Sequence, residues 1–431
     1  MSVHVPGDKS LTQRALILSA LAEGESRISG LLWGGDAEST ATALRALGAV
    51  IPKLPSDGGE IVVHGVGLTG LRSPTSELDL GNSGTGARLL LGVLSGSAIE
   101  TTITGDESLR SRPMRRVTEP LSAMGAGFDF LGDEGRLPIH VRGKRPLEQI
   151  DWSTPVASAQ VKSAILLAAL TGGASALVTE PERSRDHTER LFHQVGVSTL
   201  SHAVAEGWRI ELRDPPDRIA ELDFRVPGDV SSAAFLLALV ALGGTSAGSI
   251  EIAGVGLNPT RTAFLDVLQR MGAEITIETD QEDENSEQSG TVSVKASDLT
   301  GTQVDAAEVP RMIDELPLVA VLGARAHGET SIRGAQELRK KESDRIDALV
   351  RNLRALGVEV EEHEDGLTVL GSHRPLEGRV RAFDDHRIAM AFGVLGAVPG
   401  NHIEVDDPQA SAVSFPGFWE LARDLGAGAA G

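Results

Sequence analysis

The chain has 431 residues, 41% of them hydrophobic and 23% charged, with a formal net charge of −21 and no cysteine. That is enough apolar material for two or three cores, and it excludes disulfides, thiolate metal sites and a cysteine nucleophile. The acidic balance argues against nucleic acid, whose backbone needs a basic footprint, and no apolar run reaches the ~18 residues of a membrane helix.

In chain order, one phrase returns six times. A buried-type apolar helix runs into a glycine at Gly24, Gly96, Gly173, Gly244, Gly328 and Gly400, at intervals of 71 to 84 residues. A second, amphipathic helix ends at Gly48, Gly125, Gly196, Gly272, Gly357 and Gly426, as in LRALG and LQRMG. Glycine there suits a left-handed helix C-cap. Alternating β segments such as AEITIE and VEVEE follow. Fixed-period self-similarity means a repeated supersecondary unit. We therefore expect six α/β units of about 75 residues, three in each of two domains, in preference to a single solenoid. The phrase VPGDKS near the start is echoed as VPGDVS from Val226, which marks the second half. The polar, acidic stretch ETDQEDENSEQSG at 278–290 reads as a surface loop between strands.

Ser, Asp, Asn and Thr before the helices are expected as caps. The cations there are not. Lys9, Arg14, Arg88, Arg112, Arg185, Lys341, Arg345 and Arg387 all lie near helix starts, where a positive charge opposes the helix dipole. Together they call for anionic ligands, since free helix N–H groups plus an Arg fork make an anion site. GNSGTGAR is glycine-rich but lacks the P-loop pattern, and DHTER and DDHR lack paired-His metal spacing.

Nine ordered motifs carry a family resemblance: PGDKSLTQRA, LGNSGTGARLL, GDESLRSRPM, SAQVKSAILLAAL, SRDHTER, IDELPLVA, KKESDRI, DDHRIAMAF and SFPGFWE. They span essentially the whole chain, which resembles the 5-enolpyruvylshikimate-3-phosphate synthase family of enolpyruvyl transferases. The resemblance implies an α/β fold of two domains. Each domain would hold three βαβαββ units as an inside-out α/β barrel, with the active site in the interdomain cleft. The domains would comprise residues 1–10 with 228–431, and residues 11–227. It implies transfer of the enolpyruvyl group of phosphoenolpyruvate to the 5-hydroxyl of shikimate 3-phosphate, with release of phosphate, as in aromatic amino-acid biosynthesis.

By motif, Lys9, Ser10, Arg14, Ser158, Ala159, Gln160, Arg185, Asp314 and Lys341 match shikimate-phosphate ligands. Lys9, Asn82, Gly84, Arg112, Gln160, Arg345 and Arg387 match the phosphoenolpyruvate site. Asp314 matches the base for the 5-hydroxyl, and Glu342, helped by Lys9, the acid for the enol methylene. No metal or organic cofactor is implied, nor any nucleic-acid or membrane partner. A cytoplasmic monomer that closes over its substrates is expected. The retained Gly84 implies sensitivity to glyphosate, which takes the phosphoenolpyruvate site. Ala159 stands where many members have a second Ser, and Val413 where many have a Lys. A UDP-sugar enolpyruvyl transferase and a silent anion-binding protein are the alternatives.

Overall fold

A computed structural model describes residues 2–246, 248–280 and 286–426. The chain divides into two compact units. One, the N-terminal unit, takes Gly7–Val226 with Glu284–Glu287. The other, the C-terminal unit, takes Met1–Pro6, Pro227–Asp283 and Gln288–Gly431.

The N-terminal unit carries helices α1 (Lys9–Leu21), α2 (Gly35–Ala46), α3 (Gly84–Ser95), α4 (Glu107–Ser111), α5 (Arg115–Ala123), α6 (Ala159–Gly172) and α7 (His187–Gln194). From its third residue on, α1 is entirely buried. Its five large aliphatic side chains, Leu11, Leu16, Ile17, Leu18 and Leu21, each contribute about 1.5–3 kcal/mol on burial. α3 and α6 are apolar on nearly all sides and pack against each other. They approach closely because Gly92 has no side chain: a Cβ there would lie 2.3 Å from the Ala164 carbonyl oxygen. Helices of this kind can only be interior, so the sheets lie outside them.

Two sheets show one plan. Leu78–Asp79 pairs in parallel with Glu100–Thr104, which continues antiparallel to Ile139–Arg142 and then Gly127–Phe130. Ile150–Ser153, Ala176–Glu180, Gly207–Leu212 and Leu200–Val204 repeat it. With their helices these are βαβαββ units. The remaining sheet joins Glu23–Ser29 to Ile61–Val66 on one side and, in parallel, to Asp223–Arg225 on the other.

The C-terminal unit carries α8 (Val230–Ala241), α9 (Ala263–Arg270), α10 (Val309–Met312), α11 (Leu316–Gly323), α12 (Arg345–Ala355), α13 (His386–Gly396) and α14 (Phe418–Asp424). Every residue of α8, α11 and α13 is buried. Its first sheet places Ser2–Val3 parallel to Ser249–Gly256, followed by Ser289–Lys295 and Ile275–Thr279. Gln303–Val304, Glu329–Ile332, Gly366–Leu370 and Glu359–His363 form the second, and Glu377–Val380 with His402–Val405 the third.

The repeated VPGD phrase now has a structural meaning. Ser2–Val3 lies in the C-terminal unit and leads through VPGD into α1 of the N-terminal unit. Asp223–Arg225 lies in the N-terminal unit and leads through VPGD into α8 of the C-terminal unit. In both copies the Asp caps the helix: Asp8 accepts from the Leu11 N–H and Asp229 from the Ser231 N–H, each at 2.8 Å.

All six glycines that end the amphipathic helices have positive φ, from 73° at Gly357 to 112° at Gly48. The acidic stretch joins two strands, Ile275–Thr279 and Ser289–Lys295, which take in its first and last two residues, and its residues 281–285 lie outside the described residues. Glu287 departs from the surface reading. It is buried in the N-terminal unit with its Oε1 2.7 Å from His187 Nδ1. A lone carboxylate that finds a buried partner leaves no periodic trace in a sequence. No helix among the described residues is long and apolar enough to cross a membrane.

Candidate functional site

In the N-terminal unit the starts of the three buried helices meet. Arg14 of α1 reaches α6 and α7. Its Nη2 donates to Ser163 Oγ at 3.0 Å and its Nε to Thr188 Oγ1 at 2.8 Å, while Nη1 donates to Ser10 Oγ. Burial, with Arg185 nearby, pulls the Arg14 pKa down to about 10, although Asp8, Glu189 and Glu287 act in the opposite direction. Two guanidinium groups thus share one small region. Lys9, at the first position of α1, pairs with Asp36 of α2 at 3.1 Å.

α3 and α6 meet through Gln160. Its Oε1 accepts from Arg88 Nη1 at 2.6 Å and its Nε2 donates to Thr85 Oγ1 at 2.9 Å. The loop before α3 is held by Ser83, whose Oγ accepts from the Gly86 N–H at 3.1 Å and donates to Gln13 of α1 at 3.2 Å. Asn82 Oδ1 accepts from Arg112, and Asn82 Nδ2 donates to Asp106, the α4 N-cap, at 2.8 Å. A Cβ on Gly84 would lie 3.0 Å from Arg112 Nη1 and 3.3 Å from Arg88 Nη1. The bare backbone therefore faces two guanidinium groups. Ser158 and Ala159 form the half-buried start of α6. Lys9, Ser10, Arg14, Asn82, Gly84, Arg112, Ser158, Ala159, Gln160 and Arg185 are all residues of this unit.

In the C-terminal unit one carboxylate gathers three cations. Asp314 Oδ1 lies 3.4 Å from Lys341 Nζ, 3.3 Å from Arg345 Nη1 and 3.7 Å from Arg387 Nε. Arg387 Nη1 also donates to the Asp314 carbonyl at 3.3 Å. Arg345, 1% exposed, is held further by Glu342 at 2.8 Å and by Asp385 at 2.8 Å. Burial alone would lower the Arg345 pKa, but Asp385, Glu342 and Asp314 outweigh it and raise it. Burial likewise pushes the Asp385 carboxyl up, and the Arg345 guanidinium overrides this and holds it low. Asp385 also caps α13 through the Arg387 N–H at 2.9 Å.

Just before this cap, Phe383 and Asp384 both have φ of 56°. Left-handed backbone costs a non-glycine residue roughly 1–2 kcal/mol, so two in succession are held there by their surroundings. The structure brings Asp314, Lys341, Glu342, Arg345 and Arg387 into one cluster.

Not all of these cations oppose a helix dipole. Lys9, Arg345 and Arg387 do lie in first turns. Arg14 and Arg88 lie about one turn deeper, Arg112 and Lys341 follow the ends of short helices, and Arg185 precedes α7. What gathers them is tertiary proximity, which no single helix register reveals. Sequence reasoning also gave no part to Asp36, Glu180 or Lys162. Asp36 carries no motif signal. Lys162 does, as a cation inside an otherwise apolar helix, since a fully buried lysine requires a partner.

The family model for EPSP synthase (3-phosphoshikimate 1-carboxyvinyltransferase) matches residues 1–421. A relative from Alkalilimnicola ehrlichii named 3-phosphoshikimate 1-carboxyvinyltransferase is 46% identical over 427 residues, covering 98% of this chain and 93% of its own. One of the same name from Gloeobacter violaceus is 47% identical over 423 residues, 98% and 95% of the two chains. A solved structure of EPSP synthase from Acinetobacter baumannii superposes with a TM-score of 0.84 at 37% identity, covering 99% of this chain and 96% of that one. The enolpyruvyl transferase NikO from Streptomyces tendae superposes at 0.72 over 99% and 95% of the chains. At 19% identity it speaks for the fold alone. With both clusters built from the motifs quoted above, and with identity sustained along nearly the full length, the chain belongs to the EPSP synthase family.

Proposed function

We propose that the two clusters serve one reaction, the enolpyruvyl transfer of this family, and divide its work. The observation that carries this reading is the Asp314 carboxylate set among Lys341, Arg345 and Arg387. A proton acceptor is there placed beside cations suited to a phosphate and a carboxylate.

The two substrates, shikimate 3-phosphate and phosphoenolpyruvate, bring about five to six negative charges, each phosphate carrying about 1.5–2. An ion pair at 4 Å is worth about 4 kcal/mol at an effective dielectric near 20, so several cations are needed to hold the pair together. In this reading Ser10, Arg14, Ser158, Ala159, Gln160, Arg185 and Lys341 hold the shikimate phosphate. Asn82, Gly84, Arg112, Arg345 and Arg387 hold phosphoenolpyruvate, with Gln160 and Lys9 touching both. Asp314 takes the 5-hydroxyl proton as that oxygen bonds to C2 of phosphoenolpyruvate. Glu342, aided by Lys9, delivers a proton to the methylene carbon. The C2–O bond to phosphate then breaks, phosphate leaves with the electron pair, and a methyl proton is returned to restore the enol ether. The protein's part is positioning and timed proton transfer. A monomer suffices for this, and the charge of −21 opposes self-association. A sedimentation mass near 45.2 kDa checks that point.

Phosphate release should require both substrates together and be absent with either alone. Asp314→Ala should lower turnover by about 10²–10⁴, the usual worth of a general base, while calorimetric binding of shikimate 3-phosphate stays within a few-fold. Turnover that survives the substitution unchanged would remove Asp314 from the mechanism.

A further inference from the structure

Beneath the start of α6 lies a buried ionic network with no part in the proton transfers above. Lys162, fully buried in α6, places Nζ 3.3 Å from Glu180 Oε2 and 2.8 Å from Glu189 Oε1. Glu180, the last residue of the strand Ala176–Glu180, is also fully buried. Its Oε1 accepts from the Ser158 N–H at 2.8 Å, at the N-cap of α6. Ser184 lies next to Arg185, and its Oγ donates to the same carboxylate at 2.9 and 2.7 Å. Glu189 follows Thr188, the partner of Arg14.

A stability role explains this poorly. Desolvating two such charges offsets most of their attraction, and well-packed apolar residues of similar volume are often as stable or better. Apolar residues cannot, however, accept from Ser158 and Ser184 at once. Glu180 Oε1 accepts from both donors while Oε2 is anchored by Lys162, and those donors border the α6 start and Arg185.

We infer that Glu180, held by Lys162, is a positioning residue that fixes the Ser158–Gln160 start of α6 and the Ser184–Arg185 segment at one spacing for shikimate 3-phosphate. This rests on the reading of Ser158, Gln160 and Arg185 given above. Glu180 itself does not touch substrate in this account.

The test compares three variants by steady-state kinetics and by calorimetric titration of shikimate 3-phosphate. Glu180→Gln keeps one acceptor oxygen for the two donors but ends the ion pair with Lys162 and its anchoring. It should raise the KM and Kd for shikimate 3-phosphate about tenfold or more, the equivalent of one charge-assisted hydrogen bond, with kcat within about twofold and a smaller rise in the phosphoenolpyruvate KM, since of these residues only Gln160 also touches that substrate. Ser184→Ala removes a single hydroxyl and should shift the same constant in the same direction by about threefold; it decides the matter if Glu180→Gln fails to fold. Arg185→Ala is the control for the site itself. If Arg185→Ala leaves shikimate 3-phosphate binding unchanged, the underlying site reading falls, and this inference with it. If Arg185→Ala weakens binding while the folded Glu180 and Ser184 variants leave it unchanged, or alter both substrates alike, the positioning role alone is overturned.

Discussion

Gly84 shows how little room a single residue has. With no side chain, its backbone approaches Arg112 and Arg88, and a methyl group would press on Arg112 Nη1 at 3.0 Å. That contact is tight but falls on the end of a flexible side chain, so Gly84→Ala should fold normally and displace the guanidinium group. We expect a raised KM for phosphoenolpyruvate and weaker inhibition by glyphosate, read from inhibition curves of the two proteins. Superimposable curves would refute the proposed placement of that ligand. The glycine and its motif were legible in the sequence, because GNSGTG is a local pattern. Arg88 belongs to the same pattern, but the approach of Arg112 was given by the family resemblance and by no local pattern, because Arg112 is separated from Gly84 by an intervening strand and α4.

At the scale of elements, caps couple helix stability to the site. Asp106 caps α4 by accepting from the Leu109 N–H at 2.8 Å and also receives the Asn82 side-chain amide. Asn82 in turn accepts from Arg112 at the far end of α4. Removing the cap should cost about 1 kcal/mol of stability. It should also loosen Asn82 and Arg112, so Asp106→Ala is expected to raise the phosphoenolpyruvate KM by about two- to tenfold, as for one lost hydrogen bond. The shikimate 3-phosphate KM should change much less. A thermal melt with a two-substrate kinetic titration checks both halves, and equal rises in the two constants would contradict the assignment. The helices themselves were readable from apolar runs and from the glycines that end the amphipathic ones, whose positive φ values follow from local C-cap chemistry; the glycines after the buried helices are less regular, since Gly96 has φ −88° and Gly24 lies in the strand Glu23–Ser29. The strained pair Phe383–Asp384 was not readable, since Asp tolerates that backbone singly but a bulky Phe beside it adopts it only where neighbours impose it.

For the molecule as a whole, the C-terminal cluster links stability to pH. Asp385 has a folded pKa below its ordinary 3.8 because Arg345 overrides its burial. A depressed carboxyl contributes stability that is fully present above the unfolded value and lost as pH falls below it through the folded value. Asp385→Asn leaves Arg345 short of a buried partner and should cost about 3–5 kcal/mol at pH 7. The gap between the two proteins should then narrow as pH drops below 3.8, where wild type also loses the pair. Melting temperatures measured from pH 7 down to about 3 test this; a gap that stays constant would show that Asp385 does not ionise in this way.

The sequence by itself determined the α/β class, the six-fold repeat, the ends of the amphipathic helices and the family motifs, because each depends on residues close together along the chain. It also marked Lys9, Arg112 and Arg387 as unusual. Only the tertiary structure decided which strand each VPGD phrase leaves behind and which charges share a carboxylate. It likewise decided that Glu180 ties Ser158 to Ser184 and that Glu287 is buried against His187. Those are encounters between residues far apart in sequence. They arise when the chain buries its apolar helices and must satisfy every polar group carried inside with them, and no local pattern records which partner will be there.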